Sequence, residues 1–164
     1  MDIRKAEIED LDELANAAAT CFPAAEAASK ERIAGRLAVY PDYFWVGRDE
    51  SHELISFAVG PVTKERDLTD NMYADPSVHD PDGDWQMVFC LCTMPQHRRK
   101  GLGGLVLQRL ISEAEEKGRK GVVLACKEEK IPFYEKFGFV NEGVSKSKHG
   151  GARWYQMRLT FDKD

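Results

Sequence analysis

The chain predicts an α/β (α+β) domain built on a mixed sheet. Short β-branched and aromatic runs alternate with amphipathic helical stretches. Two pairs of runs are joined by short polar turns, as hairpins are, and two apolar runs are separated by a whole helix, as a crossover requires. The resulting order is βααββ, then β-loop-α, then β-α-ββ.

The elements follow in order. "DIRKA" forms a short first strand. Ile8, Leu11, Leu14 and Ala15 then recur at helical spacing behind acidic first-turn residues, until Pro23 ends that helix. "EAASKERIAGRLAVYP" reads as a second helix stopping before Pro41. "YFWVGRD" and "ELISFAVGPV", parted by "ESH", read as a hairpin. The stretch from Thr63 to Asp84 is polar, carries two prolines and lacks periodicity, so it reads as a long loop, mobile or functional.

"WQMVFCLCT" is apolar on both alternating faces, as a central, doubly covered strand should be. A basic glycine turn follows. Leu102, Leu105, Val106, Leu110 and Ala114 then form a helical stripe that Gly118 caps. "GVVLAC" is another buried strand. "EEKIPFYEKFGF" reads as a short helix with Pro132 near its first turn and Gly138 at its end. "VNEGVSKS" and "ARWYQMRLTF" close a final hairpin around "KHGG", a pair that could match across a homodimer.

At 164 residues the chain is most simply one domain, 1–164, large enough to bury a core. Its net charge of −5 argues against nucleic-acid binding, which needs a basic face. No run approaches the roughly 20 apolar residues of a membrane span, and "MDIRKAEIEDLDEL" has no apolar leader core. Cys21, Cys90, Cys92 and Cys126 lack paired ligand spacing. They read as reduced residues of a cytoplasmic protein, without a metal.

A basic patch in an acidic chain carries more information than one in a basic chain. "TMPQHRRKGLGG" ends an apolar strand and opens a helix, the order in which unpaired amides and a helix dipole meet an anion. A dinucleotide G-x-G-x-x-G from Gly101 would need glycine where Val106 stands, and the P-loop pattern G-x-x-x-x-G-K-[ST] is absent. What remains is R-x-x-G-x-G, Arg98 to Gly103.

That motif, between strand and helix, together with "IPFYEKFGF" about 30 residues downstream, resembles the GCN5-related N-acetyltransferases (GNAT). Their acetyl-CoA motif is [QR]-x-x-G-x-[GA], with a later "FYxKxGF" signature. The resemblance spans nearly the whole chain. "CFPAAEAAS", "PDYFWVGRDE", "LISFAVG" and "ACKEEKIPFYEKFGF" are most similar to the arylalkylamine (serotonin) branch. It implies a mostly antiparallel central sheet flanked by about four helices, with a splayed strand pair forming the acetyl-CoA slot.

The resemblance also implies roles. The main chain of Leu91, Cys92 and Thr93 would take the pantetheine arm. The turn of Arg98, Arg99, Lys100, Gly101, Leu102, Gly103 and Gly104 would take the pyrophosphate, through the amides from Arg99 onward. Tyr134 would bind near the CoA sulfur and donate a proton to the departing thiolate, while Phe133, Phe137 and Phe139 fill core.

An alkylamine has a pKa near 10, like lysine, so its neutral form must be bound or generated. Where the arylalkylamine enzymes carry two histidines, this chain has Met87 and Phe89. Substitute bases are His79, Asp82, Asp84 and Glu128. A water could also carry the proton. His97 sits in the basic loop, and His52 and His149 in turns that suggest nothing. Cys90 and Cys92 lack an adjacent histidine or cation, which favours direct transfer over an acyl-cysteine.

The amine would lie near the first two helices and the 63–84 stretch. There Glu65, Asp67, Asp70, Asp80, Asp82 and Asp84 would attract a cation, and Phe22 and Pro23 could line a pocket. The expected activity is acetyl transfer from acetyl-CoA to a small primary amine, such as an arylalkylamine. A polyamine, aminoglycoside, amino acid or protein N-terminus are the other acceptors weighed. A non-catalytic acyl-CoA-binding module is the alternative.

Overall fold

The computed structural model describes residues 1–161. In chain order its elements are β1 (Asp2–Lys5), α1 (Leu11–Cys21), α2 (Lys30–Val39), β2 (Phe44–Arg48), β3 (Leu54–Val59), β4 (Val62–Thr63) and α3 (Asp70–Ala74), followed by β5 (Trp85–Val88) and β6 (Cys90–Thr93). Then come α4 (Leu102–Glu116), β7 (Gly121–Cys126), α5 (Ile131–Glu135), β8 (Val140–Val144) and β9 (Tyr155–Thr160). The expected mixed α/β class holds. None of the described helices is long and apolar enough to cross a membrane.

The chain divides into two compact units. The first comprises Met1–Gly60 and Cys90–Leu110 and holds an antiparallel sheet in the order β1-β2-β3-β6. Helix α1 buries Leu14, Ala17 and Ala18. Ile8, expected in that stripe, is 60% exposed, because the helix begins only after a 3-10 turn at Ile8–Asp10. Ser29 caps α2 by accepting from the Arg32 amide at 3.2 Å, and Ile33, Arg36 and Leu37 face inward. Val106 packs against β2 so closely that a Cβ on Gly47 would sit 3.2 Å from its methyl.

The second unit comprises Pro61–Phe89 and, among the described residues, 111–161, with sheet order β4-β5-β7-β9-β8. Strands β5 and β7 run parallel and the remaining pairs antiparallel. Gly118, at φ +76, ends α4 as expected, and the Arg119 amide donates to the Ala114 carbonyl across it (3.1 Å). Leu105, placed in the α4 stripe by periodicity, is 54% exposed. The buried set is Val106, Leu107, Leu110, Ile111 and Ala114.

Two further sequence expectations need correction. The 63–84 stretch is not one loop: it folds into α3 and a 3-10 turn, Pro76–Val78. Leu68, Met72 and Tyr73 anchor it in a cluster with Trp85, Met87 and Val123. A five-residue helix is too short to leave a periodic signal. The second correction concerns "WQMVFCLCT", which is not one strand. It breaks at Phe89, so that β5 pairs with β4 and β7 while β6 pairs with β3.

Candidate functional site

In the first unit, β6 is the last strand of its sheet. Thr93 faces Ser56, Cys92 faces Phe57 and Leu91 faces Ala58 on one edge, and the other edge carries no strand of that sheet. The Thr93 carbonyl accepts from Cys21 Sγ at 3.4 Å and from Arg98 Nε at 3.0 Å. The Arg98 side chain is therefore folded back on the strand end, where it stiffens the turn.

Beyond a 3-10 turn at Pro95–His97 the backbone takes an unusual course. Arg99 has φ +63 and Gly101 φ +75. Arg99 thus holds a left-handed conformation rare for a residue with a Cβ. Alternation of right- and left-handed residues turns successive N–H groups to one side, the geometry of an anion nest. Among the described residues, no amide from 99 to 104 donates to a carbonyl outside a helix. The first such bond is Leu105 to Gly101 (3.3 Å). Arg98, Arg99, Lys100 and Gly101 are exposed.

Gly103 lies where a Cβ would meet Thr93 Oγ1 at 2.6 Å, and Thr93 Oγ1 is 3.1 Å from Ser56 Oγ. The start of α4 is thereby seated directly on the end of β6. The arrangement amounts to a strand at the end of its sheet followed by an open, positively flanked amide turn.

Tyr134, in the second unit, is half-buried near the end of α5. Its ring meets Phe133 edge-on (5.1 Å, 84°) and Phe139 likewise (5.8 Å, 73°). Its carbonyl accepts from the Phe137 and Phe139 amides. Phe139 is core at 3% exposure, whereas Phe133 and Phe137 are half-buried and pack on each other at 5.3 Å.

Met87 is fully buried, and Phe89 packs on Tyr73 with centroids 4.7 Å apart. Neither can carry a proton. Of the substitute bases, His79 spends Nδ1 accepting from the Val62 amide at 3.0 Å. Burial, with Arg119 nearby, pushes its pKa down. Asp80 pairs with Lys64 (3.3 Å), Asp84 with Lys120 (3.5 Å), and Asp82 and Glu128 are exposed.

The acidic stretch is also built into the fold. Buried Arg158, 4.6 Å from the Trp85 ring, pairs with Asp67 and with Glu142 (3.0 Å) and donates to the Arg66 carbonyl (2.7 Å). Gln156 accepts from the Leu68 amide and donates to Glu142. Asp70 accepts from Ser147 Oγ and from the Lys148 amide at 2.9 Å. The sequence missed Arg158, because strand alternation beside buried Met157 reads it as outward.

Among the described residues all the cysteines are free. Burial pushes Cys90 up to about 12 and Cys126 up to about 11, and pushes Cys92 up as well. No thiolate forms there near neutrality. Phe22 is half-buried and Pro23 exposed. Asp49, Glu53 and His97 bring ligand-type atoms within 4.8 Å of one another, a grouping hidden by their separation in sequence. Asp49 Oδ1 already accepts from the Ser51 and Glu53 amides (2.8 and 2.9 Å), and Glu53 accepts from Gln96 (3.3 Å).

Among known proteins, the chain is 28% identical over 90 residues to an uncharacterized N-acetyltransferase, YjcF, of Bacillus subtilis, covering 48% of this chain and 64% of that protein. It is 28% identical over 117 residues to serotonin N-acetyltransferase of Mesocricetus auratus, covering 71% of this chain and 55% of that protein. The chain thus spans less than two thirds of either relative. In fold it is similar to the GphF GNAT-like decarboxylase solved with isobutyryl-CoA, at TM-score 0.83 and 19% identity, covering 98% of this chain and 99% of that one. Residues 10–161 match the family model described as the acetyltransferase (GNAT) domain, and the chain belongs to that family.

Proposed function

We propose that the chain is an acetyl-CoA-dependent N-acetyltransferase that passes the acetyl group directly to a primary amine. The observation that carries this is the open amide turn at 99–104, set directly beyond the edge strand β6. Residues 99 to 104 offer their N–H groups to the two phosphates, and the α4 N-terminus adds its dipole. Gly101, with no atom within 4 Å of a Cβ position, leaves the phosphates a close approach. Leu91, Cys92 and Thr93 hold the pantetheine arm by their main chain, as an added strand would be held.

Bound acetyl-CoA supplies the acyl group in activated thioester form. The strand edge fixes it in near-attack geometry, and backbone donors polarise its carbonyl. Tyr134 protonates the departing thiolate. The high pKa of the buried thiols supports direct transfer over a covalent relay. Similarity to a serotonin N-acetyltransferase ranks arylalkylamines first among acceptors.

A thiol-release assay with acetyl-CoA against arylalkylamines, polyamines, aminoglycosides, amino acids and peptide N-termini tests the reading. CoA binding with no release from any acceptor would overturn it. The apolar pair Met87 and Phe89 favours a second reading, a non-catalytic acyl-CoA-binding module. Tyr134→Phe separates the two. A catalyst loses about 100-fold in kcat and keeps its CoA affinity, whereas a binding module has no turnover to lose.

A further inference from the structure

Asp49, Glu53 and His97 are residue types that ligate metals, but their spacing in the chain does not group them. Asp49 and Glu53 lie in the turn between β2 and β3, and His97 ends the 3-10 turn Pro95–His97 beyond β6. Because the start of β3 pairs with the end of β6, the two turns emerge side by side at one end of the first unit's sheet. The Met94 amide donates to the Ile55 carbonyl (2.9 Å) and extends that pairing toward the turns. One ligand-type atom of each residue then lies within 4.8 Å of the other two.

The surrounding hydrogen bonds aim the side chains. The Asp49 amide donates to the Glu53 carbonyl and the His52 amide to the Asp49 carbonyl, both at 3.0 Å, which closes the β2–β3 turn. Asp49 Oδ1 accepts from the Ser51 and Glu53 amides, and Glu53 Oε1 accepts from Gln96 Nε2. Each carboxylate is thus oriented through one oxygen and keeps the other, as metal-ligating carboxylates are held by their outer partners. The His97 amide donates to the Met94 carbonyl (2.9 Å), which fixes the second turn.

His97 supplies an independent observation. Nε2 of its half-buried ring is shut off from solvent and has no hydrogen-bond partner among the described residues. No hydrogen bond or ion pair among them joins the ring to either carboxylate. A buried nitrogen left unpaired is costly, and a ligand that takes up its lone pair removes that cost. Two carboxylates and an imidazole therefore converge without bonding to one another. Around a tetrahedral Zn²⁺, ligand atoms at about 2.1 Å from the ion stand about 3.4 Å apart. A closure of about 1 Å, within reach of the exposed Glu53 side chain, completes such a site.

We propose that Asp49, Glu53 and His97 bind a divalent transition-metal ion of the Zn²⁺ type, clasping the β2–β3 turn to the turn that leads into residues 98–104. Mg²⁺ and Ca²⁺ take oxygen ligands, whereas an imidazole with two carboxylates suits Zn²⁺ and its neighbours. Three protein ligands leave the fourth position to water.

Calorimetric titration of the untagged full chain with Zn²⁺ near neutral pH should show one ion per chain, and Tm should rise with it. His97→Ala should weaken binding at least about 10-fold. Asp49→Asn, which keeps the Oδ1 acceptor, should weaken it too, and both variants should keep the ion-free Tm of wild type. Where His97→Ala fails to fold, Glu53→Gln should show the same loss. Co²⁺ as a probe should give visible d–d bands without a near-ultraviolet thiolate band. Absence of saturable binding overturns the proposal. So does binding that survives all three substitutions, a thiolate band, which places the ion on cysteines, or Mg²⁺ competing as strongly as Zn²⁺. The titration uses neither acetyl-CoA nor an amine, so its result stands apart from the acetyltransferase reading.

Discussion

Gly103 is the residue on which strand and helix meet. A Cβ there would lie 2.6 Å from Thr93 Oγ1, on a short β-branched side chain that has little room to turn aside. Gly103→Ala should therefore lower stability by about 1–3 kcal/mol, read by denaturant titration. It should also weaken CoA binding by calorimetry, because the amides of 102–104 shift with the helix start. The place of this turn, between a strand and a helix, was legible in the sequence, since the motif is contiguous. Arg99 at φ +63 was not legible, because no residue preference marks an arginine as left-handed. His149 was equally hidden. It lies far along the chain from Tyr73, and only the folded hairpin brings the two rings together.

Among the elements, the 63–78 segment owes its shape to β9. Arg158 is 3% exposed and holds Asp67, Glu142 and the Arg66 carbonyl together. Arg158→Ala would leave Asp67 and Glu142 with Arg66 as their ion-pair partner and remove the hydrogen bond to the Arg66 carbonyl, and should cost about 1–3 kcal/mol by chemical denaturation. Burial pushes Glu142 up, but hydrogen bonds from Arg158 and Gln156, together with the charges of Arg158 and Arg66, outweigh it and hold its carboxyl below the usual range. A depressed carboxylate contributes stability above its unfolded pKa, about 4.3, and loses it as pH falls through the lower folded value. Wild type should thus lose this contribution only below about pH 4.3, and Arg158→Ala should flatten that limb. Helices α1, α2 and α4 were readable because each spans enough turns to show a face. Helix α3 was not, since tertiary anchors, Met72 and Tyr73 among them, determine it. The break at Phe89 left no trace in "WQMVFCLCT", because what divides the strand is the identity of its partners, β3 for one half and β7 for the other.

At the scale of the whole molecule, CoA should act as a stabiliser by mass action. At 100 times its Kd it adds about 2.7 kcal/mol, which for a chain of this size raises Tm by about 5–10 °C. Differential scanning fluorimetry with and without CoA reads this directly, and an unchanged Tm at saturating CoA would count against the site. Most of the order of elements was legible at this scale, β4, α3 and the break between β5 and β6 excepted, whereas the division into two units was not. It crosses the chain three times, between Gly60 and Pro61, within the apolar run at Phe89 and Cys90, and within helix α4 at Leu110 and Ile111, and the last two have nothing of a linker's composition.

The interruption at Phe89 also constrains how the gene can change. Strands β5 and β6 meet with a single residue between them, and each is held in register by different partners. Adding or deleting one residue within either strand turns every side chain beyond it to the opposite face. In β5 that would expel Met87 from the core, and in β6 it would expel Cys92. Loops elsewhere can drift in length. These nine residues tolerate substitution but not insertion, so in relatives of this chain their number should vary less than their identity.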